Sequence, residues 1–90
     1  YVANTNYVAG SWNVITAVFD GANSRIRIGK GTAVTGNPGA TNTNTGGTIK
    51  LGGHASFANV SVKDVIIRNK ADDTTTELNI INLLYDAYGL

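Results

Sequence analysis

Two features of the sequence carry side chains suited to ligand chemistry: a long polar segment and a single histidine. The segment at residues 36–47 reads "GNPGATNTNTGG". Asparagine amides both donate and accept hydrogen bonds, which is the mixture that sugar hydroxyls require. The candidate ligand-binding residues are Asn37, Asn42, Asn44 and His54. The same composition also suits a plain surface loop, so both interpretations stay open.

His54 lies two residues before Ser56, a spacing that raises the question of a nucleophile and its base. No Gly-x-Ser-x-Gly elbow surrounds the serine, and no third group is evident to orient the histidine. We therefore interpret His54 as a loop residue that faces solvent or contacts a ligand. The sequence predicts that the protein is not an enzyme.

Length and composition bound the classes of protein that the sequence can represent. Ninety residues allow one small domain, and seven basic residues against six acidic ones create no field that would attract nucleic acid. No apolar run is long enough for membrane insertion, and without cysteine there is no disulfide framework. The chain has no methionine, so we expect Tyr1 to follow a processing site or to lie within a longer protein.

Alternating apolar residues and turn signals predict mostly β-structure. "WNVITAVF" has apolar side chains on both faces, so its strand should lie between two layers and Trp12 should be buried. Asp20-Gly21 predicts a hairpin, and in "RIRI" the alternation places Arg25 and Arg27 outward. Phe57 is expected to anchor a connection. The predicted strands cover about residues 2–8, 12–19, 25–28, 48–52 and 60–69, the last with a bulge near Lys63-Asp64.

The C-terminal residues predict one helix over about residues 75–88. Thr74 and Glu77 have the spacing of a capping box, with Thr74 as the N-cap and Glu77 returning to its amide. Tyr85 falls on the apolar stripe of the helix, and Gly89 is placed for the C-terminal cap. This helix is expected to close over an apolar surface.

Several stretches taken together resemble a known family. "SWNVITAVFDGANSRIRIG", "IKLGG", "DVIIRN" and "LLYDAYGL", in this order, are similar to the second half of a laminin-G-like domain of the concanavalin A-like lectin/glucanase superfamily. The resemblance covers nearly the whole chain from Gly10 to Leu90. It implies an all-β fold, an antiparallel β-sandwich of jelly-roll type with a short C-terminal helix. The remaining strands would then come from the rest of the parent chain or from neighbouring subunits.

The resemblance also bears on catalysis and on metal binding. Glucanases of the superfamily use two carboxylates on one strand, but the only glutamate here is Glu77, in the helix. The residues themselves indicate no cofactor. Laminin-G-like domains often hold a calcium ion on loop oxygens, for which Asp20, Asp72 and Asp73 are the candidates.

Two functions follow as expectations. The first is a non-catalytic carbohydrate-binding or adhesion module of a larger extracellular or virion protein, whose partner is a glycan or cell-surface ligand. The alternative is a structural or decoration domain in a phage or bacterial surface assembly, with the sandwich as a subunit-contact module. Both rest on an analogy of fold, and fold alone does not determine function.

Overall fold

The computed structural model of the protein describes residues 4–39 and 59–90. Strand β1 spans Ile15–Val18, β2 spans Ser24–Ile28, β3 spans Val34–Gly36, and helix α1 spans Thr74–Tyr88. The strands form one sheet in chain order, each antiparallel to the next. Antiparallel β-structure followed by a C-terminal helix is therefore confirmed. Over the described ranges the fold is this sheet and helix, and a two-sheet sandwich is not shown.

The connection between β1 and β2 is the hairpin that Asp20-Gly21 predicts. A short 3₁₀ turn occupies Gly21–Asn23, and the Asn23 amide donates to the Asp20 carbonyl at 2.9 Å. The Ser24 hydroxyl accepts from the Asp20 amide at 2.8 Å and donates to the Gly21 carbonyl at 2.7 Å. These bonds satisfy the polar groups of the turn and hold the two strands together.

The two faces of the sheet differ in chemistry. Cross-strand partners share a face, because successive side chains along a strand alternate between the two sides. One face carries the pairs Thr16–Arg27 and Val18–Arg25, and the other carries Ile15–Ile28 and Ala17–Ile26. Thr16, Arg25 and Arg27 contact Glu77 of α1, so the helix covers the face that carries the arginines.

Several predicted strand boundaries are wrong. Strand β1 begins at Ile15, not residue 12, and neither residues 4–8 nor 60–69 form a strand. Alternating valines and isoleucines favour a strand, but a strand also needs a neighbour for its backbone amides and carbonyls. No described strand pairs with 60–69. The predicted strand at 48–52 lies outside the described residues.

Strand β3 lies in a stretch for which the sequence predicts no strand. Val34 pairs with Ile26 and Thr35 with Arg25, so two β-branched residues in a polar stretch add a third strand to the edge of β2. The preceding turn uses Gly29, whose φ of 58° is accessible mainly to glycine, and Gly31, whose amide donates to the Ile28 carbonyl at 3.2 Å.

Helix α1 confirms the predicted span and corrects its N-terminal cap. The N-cap is Asp73, not Thr74, because the Asp73 carboxylate accepts a bond from the Thr76 amide at 2.8 Å. That bond also lowers the pKa of Asp73 below its usual value. At the other end Gly89 adopts the left-handed conformation that was predicted for it, and its amide donates to the Tyr85 carbonyl.

The described core is small and contains much charge. Its fully buried apolar residue is Ile81, at the centre of α1, with Val14 nearly as enclosed. Arg27, Asp72 and Glu77 are also buried. Charged side chains are seldom buried unless they are paired, so these residues must bind one another or the backbone.

Candidate functional site

Trp12 lies at the surface of the protein and not in its core, which corrects the sequence prediction. Its exposed fraction is 48%. The Asn13 side-chain Nδ2 donates to the backbone carbonyls of Val8 at 3.0 Å and Ser11 at 2.7 Å, and Gly10 has a φ of 80°. These features form a turn just before β1, so Trp12 lies outside the sheet.

A lysine ammonium lies beside the exposed tryptophan and a second aromatic ring. The Lys63 Nζ is 4.4 Å from the centroid of the Trp12 ring and 5.4 Å from that of the Tyr88 ring. Tyr88, the last residue of α1, is 38% exposed. Cations within about 6 Å of an aromatic centroid are attracted by the electron-rich face of the ring. Side chains from three separate segments therefore meet at one surface patch.

Asp64 completes this patch. The Tyr88 hydroxyl donates to Asp64 Oδ2 at 3.1 Å. This bond, followed by partial burial and the negative charge of Asp64, raises the pKa of the Tyr88 phenol. The phenol therefore stays protonated and keeps its role as a donor. We call Trp12, Lys63, Asp64 and Tyr88 the aromatic–lysine cluster.

The aromatic–lysine cluster offers the groups that bind polar ligands with an apolar face. Two exposed rings supply flat surfaces for the C–H face of a ring-shaped ligand. Lys63 provides ammonium donors, and Asp64 provides carboxylate acceptors. Neither charge takes part in an ion pair within residues 4–39 and 59–90.

A second charged cluster joins the first turns of α1 to the sheet. Glu77 is 4% exposed, and its two oxygens bind Arg25 Nε at 2.7 Å and Arg27 Nε at 3.0 Å. The Thr16 hydroxyl donates to the same carboxylate at 2.8 Å. The predictions of solvated arginines and of a capping role for Glu77 are both wrong. We call Glu77, Arg25, Arg27 and Thr16 the buried ion cluster.

The electrostatics of the buried ion cluster are those of a structural contact. Burial alone would raise the pKa of Glu77, but hydrogen bonds from Arg25, Thr16 and Arg27 outweigh it, so the pKa lies below the usual value. Arg25 also donates to the Asp72 carbonyl, and Arg27 donates to the Gly31 carbonyl at 2.6 Å. No buried side-chain polar atom of the described chain lacks a partner. This cluster has no spare group for a ligand.

Tyr85 extends the contact between helix and sheet. Lys30 Nζ lies 4.6 Å from the centroid of its ring. The ring also reaches Gly29 so closely that a β-carbon there would stand 2.5 Å from the Tyr85 hydroxyl oxygen. The half-buried position of Tyr85 agrees with the structural role that was predicted for it.

Of the ligand-binding candidates from the sequence, the structure describes Asn37. Its side-chain oxygen accepts a bond from the Gly39 amide at 3.0 Å, and the residue is exposed. The neighbouring Pro38 borders a groove of about 160 Å³ between the end of β1 and β2. Such a volume is below the usual size of a small-molecule pocket. Asn42, Asn44, His54 and the anchor Phe57 lie outside the described residues, so those predictions stay open.

The three aspartates predicted as calcium ligands occupy different surroundings. Asp72 binds Arg68 through both carboxylate oxygens, at 2.5 and 3.1 Å. Asp73 caps α1, and Asp20 lies in the β1–β2 connection. In the ranges 4–39 and 59–90, three or more histidine or acidic side chains do not gather in a metal-binding group. Calcium binding remains a prediction from the resemblance.

Comparisons with known proteins give no family assignment. No protein-family model matches the chain, and no curated protein or solved structure shows a significant match. Within the described ranges, no helix has the length and apolarity needed to cross a membrane.

Proposed function

We propose that the chain is a non-catalytic carbohydrate-binding or adhesion module of a larger extracellular or virion protein, with the aromatic–lysine cluster as its ligand surface. The observation that carries this proposal is the exposure of Trp12 and Tyr88 around Lys63. Exposed apolar surface with polar groups at its edge often marks an interaction site. A sugar ring fits such a surface, because it has both an apolar face and many hydroxyls.

The proposed fold is one part of a laminin-G-like β-sandwich. Its support is the order of elements: a hairpin of β1 and β2 that turns at Asp20-Gly21, followed later by a helix capped at Gly89. The exposed Ile15 and Val34 leave apolar surface on the sheet face opposite the helix. A second β-layer would cover that face, as it does in sandwiches.

A glycan array followed by calorimetry on the protein, with and without calcium, tests the proposal. We expect binding to at least one class of saccharide and loss of that binding in Trp12→Ala. Phe19→Ala is the matched control, because Phe19 is an aromatic residue of 78% exposure beyond the other end of β1. Equal loss in both variants, or no binding to any saccharide, would contradict the proposal.

A second candidate function is a structural subunit-contact module in a phage or bacterial surface assembly. The observation in its favour is the apolar sheet face, on which Ile15 is 54% exposed. Exposed apolar faces of sheets commonly mark interfaces. Light scattering would show concentration-dependent oligomers that Ile15→Lys dissociates, whereas a monomer at all concentrations would count against this function.

A further inference from the structure

The aromatic–lysine cluster already holds a cation, which is the chain's own Lys63 ammonium. This group lies near two aromatic rings, at 4.4 and 5.4 Å from their centroids. It makes no ion pair with an acidic side chain of the described residues. These contacts fix the lysine weakly, since a cation–π contact at an exposed site is worth about 0.5–1 kcal/mol.

The surroundings of the ammonium favour positive over negative ligands. Asp64 is the carboxylate of the cluster, and it is bonded to the hydroxyl of Tyr88. Tyr88 is also the last residue of α1, whose final turn contains no basic side chain. The C-terminal end of a helix carries a partial negative charge that attracts cations. An anionic ligand would meet both of these negative groups.

We infer that the aromatic–lysine cluster binds the protonated amino group of an amino sugar, and that Lys63 is a displaceable internal occupant of the same position. The ligand's ammonium would lie between the rings of Trp12 and Tyr88 and pair with Asp64. Its sugar ring would stack on the exposed tryptophan. This inference rests on the proposed function and specifies the class of saccharide.

Competition with Lys63 has a measurable consequence. A ligand that must displace the lysine binds more weakly by the free energy of the contact it replaces. Removal of Lys63 should therefore raise the affinity for an amino sugar by about two- to fivefold, the factor that corresponds to one exposed cation–π contact. If Lys63 were instead a direct ligand contact, its removal would lower the affinity.

A matched pair of ligands isolates the role of the amino group. The probes are an oligosaccharide of glucosamine and its fully N-acetylated counterpart, which has the same backbone without the positive charge. Trp12 is the only tryptophan of the chain, so its fluorescence reports binding at the cluster directly. We expect the glucosamine oligomer to bind more tightly than the N-acetylated one, and Asp64→Asn to remove that difference.

Variants complete the test. Lys63→Ala should strengthen binding of the glucosamine oligomer, and this gain should exceed any change in binding of the N-acetylated oligomer, which brings no ammonium to compete with the lysine. Lys70→Ala is the control for net charge, because it removes a lysine that neighbours Asp73, the N-cap at the other end of α1. A gain in both lysine variants, or weaker binding in Lys63→Ala, overturns the inference. Equal affinity for the two oligomers overturns it while leaving the proposed function intact, whereas no response to any saccharide defeats the proposed function itself.

Discussion

The two ends of helix α1 place charged groups in opposite situations. Near its N-terminal end, Glu77 is buried against the sheet, and its carboxylate accepts hydrogen bonds from three side chains. At its C-terminal end, Tyr88 lies at the surface beside a lysine and an aspartate that form no ion pair in the described chain. Charged side chains therefore lie near both ends of α1. Glu77 at the N-terminal end is buried and fully hydrogen-bonded, whereas Lys63 and Asp64 at the C-terminal end are exposed and form no ion pair in the described chain.

This difference separates a structural cluster from a candidate binding site. A buried ion pair contributes to stability only when every charge is matched, and a saturated cluster cannot exchange its partners for a ligand. When a ligand replaces the internal contacts of an exposed cluster, little free energy is lost, because those contacts are weak. We therefore assign the attachment of α1 to the buried ion cluster and propose the aromatic–lysine cluster as the site of ligand recognition.

The largest expected effect is that of Glu77→Ala. This change leaves the buried Arg27 and the partly buried Arg25 without a counter-charge, and breaking a buried pair typically costs about 3–5 kcal/mol. Urea unfolding of the variant should show a loss of stability in this range. Lys63→Ala is the comparison at the exposed end, where a loss of stability of at most about 1 kcal/mol is expected. Similar losses in the two variants would remove the distinction between the ends.

A smaller loss of stability is expected from a substitution in the turn between β2 and β3, which the helix contacts through Tyr85. Gly29→Ala must adopt a positive φ and also displace the Tyr85 hydroxyl. Gly21→Ala is the matched control for Gly29→Ala, because Gly21 has a similar φ of 53° but no atom near the position of the added β-carbon. Each change costs about 1–2 kcal/mol for the backbone, and Gly29→Ala should cost more because of Tyr85. Equal melting temperatures for the two variants would mean that Tyr85 does not pack on this turn.

Acid should lower the stability of the protein by protonating Glu77 near the N-terminal end of α1. The pKa of Glu77 is lower in the folded protein than its usual 4.5, so the unfolded chain takes up a proton first as the pH falls. The stabilisation is complete above pH 4.5 and is lost as the pH falls through the folded value. Glu77→Gln should show a shallower decline in unfolding free energy over this range. Asp73 adds to the decline in both proteins, because its pKa is lowered too.

The hairpin and the helix could be predicted from the sequence, because a short local pattern determines each of them. Asp20-Gly21 specifies a hairpin through turn chemistry alone, and the stripe through Ile81 with Gly89 behind it specifies a helix and its end. Residues 60–69 show the limit of such signals. Their alternation favours a strand, but a ladder depends on a distant partner, which no local pattern reveals.

The sequence does not predict the candidate site, because the alternation around Trp12 favours one continuous strand in which the ring would be buried. Gly10 and Asn13 beside it are turn residues, and that signal predicts a strand starting later. The prediction of outward-facing Arg25 and Arg27 is wrong for a related reason. Their alternation with isoleucines correctly predicts a strand with two faces, but the face that the helix covers depends on a single glutamate about fifty residues away.

The measurement that tests the division of roles most directly is a titration of the ¹⁵N-labelled protein with the glucosamine oligosaccharide, followed by NMR. The indole signal of Trp12 and the Nε–H signals of Arg25 and Arg27 report the two ends of α1 in one spectrum. We predict that the indole signal shifts with saturation while the two arginine signals stay in place. An unmoved indole signal at high ligand concentration, or arginine signals that shift with it, would contradict the account.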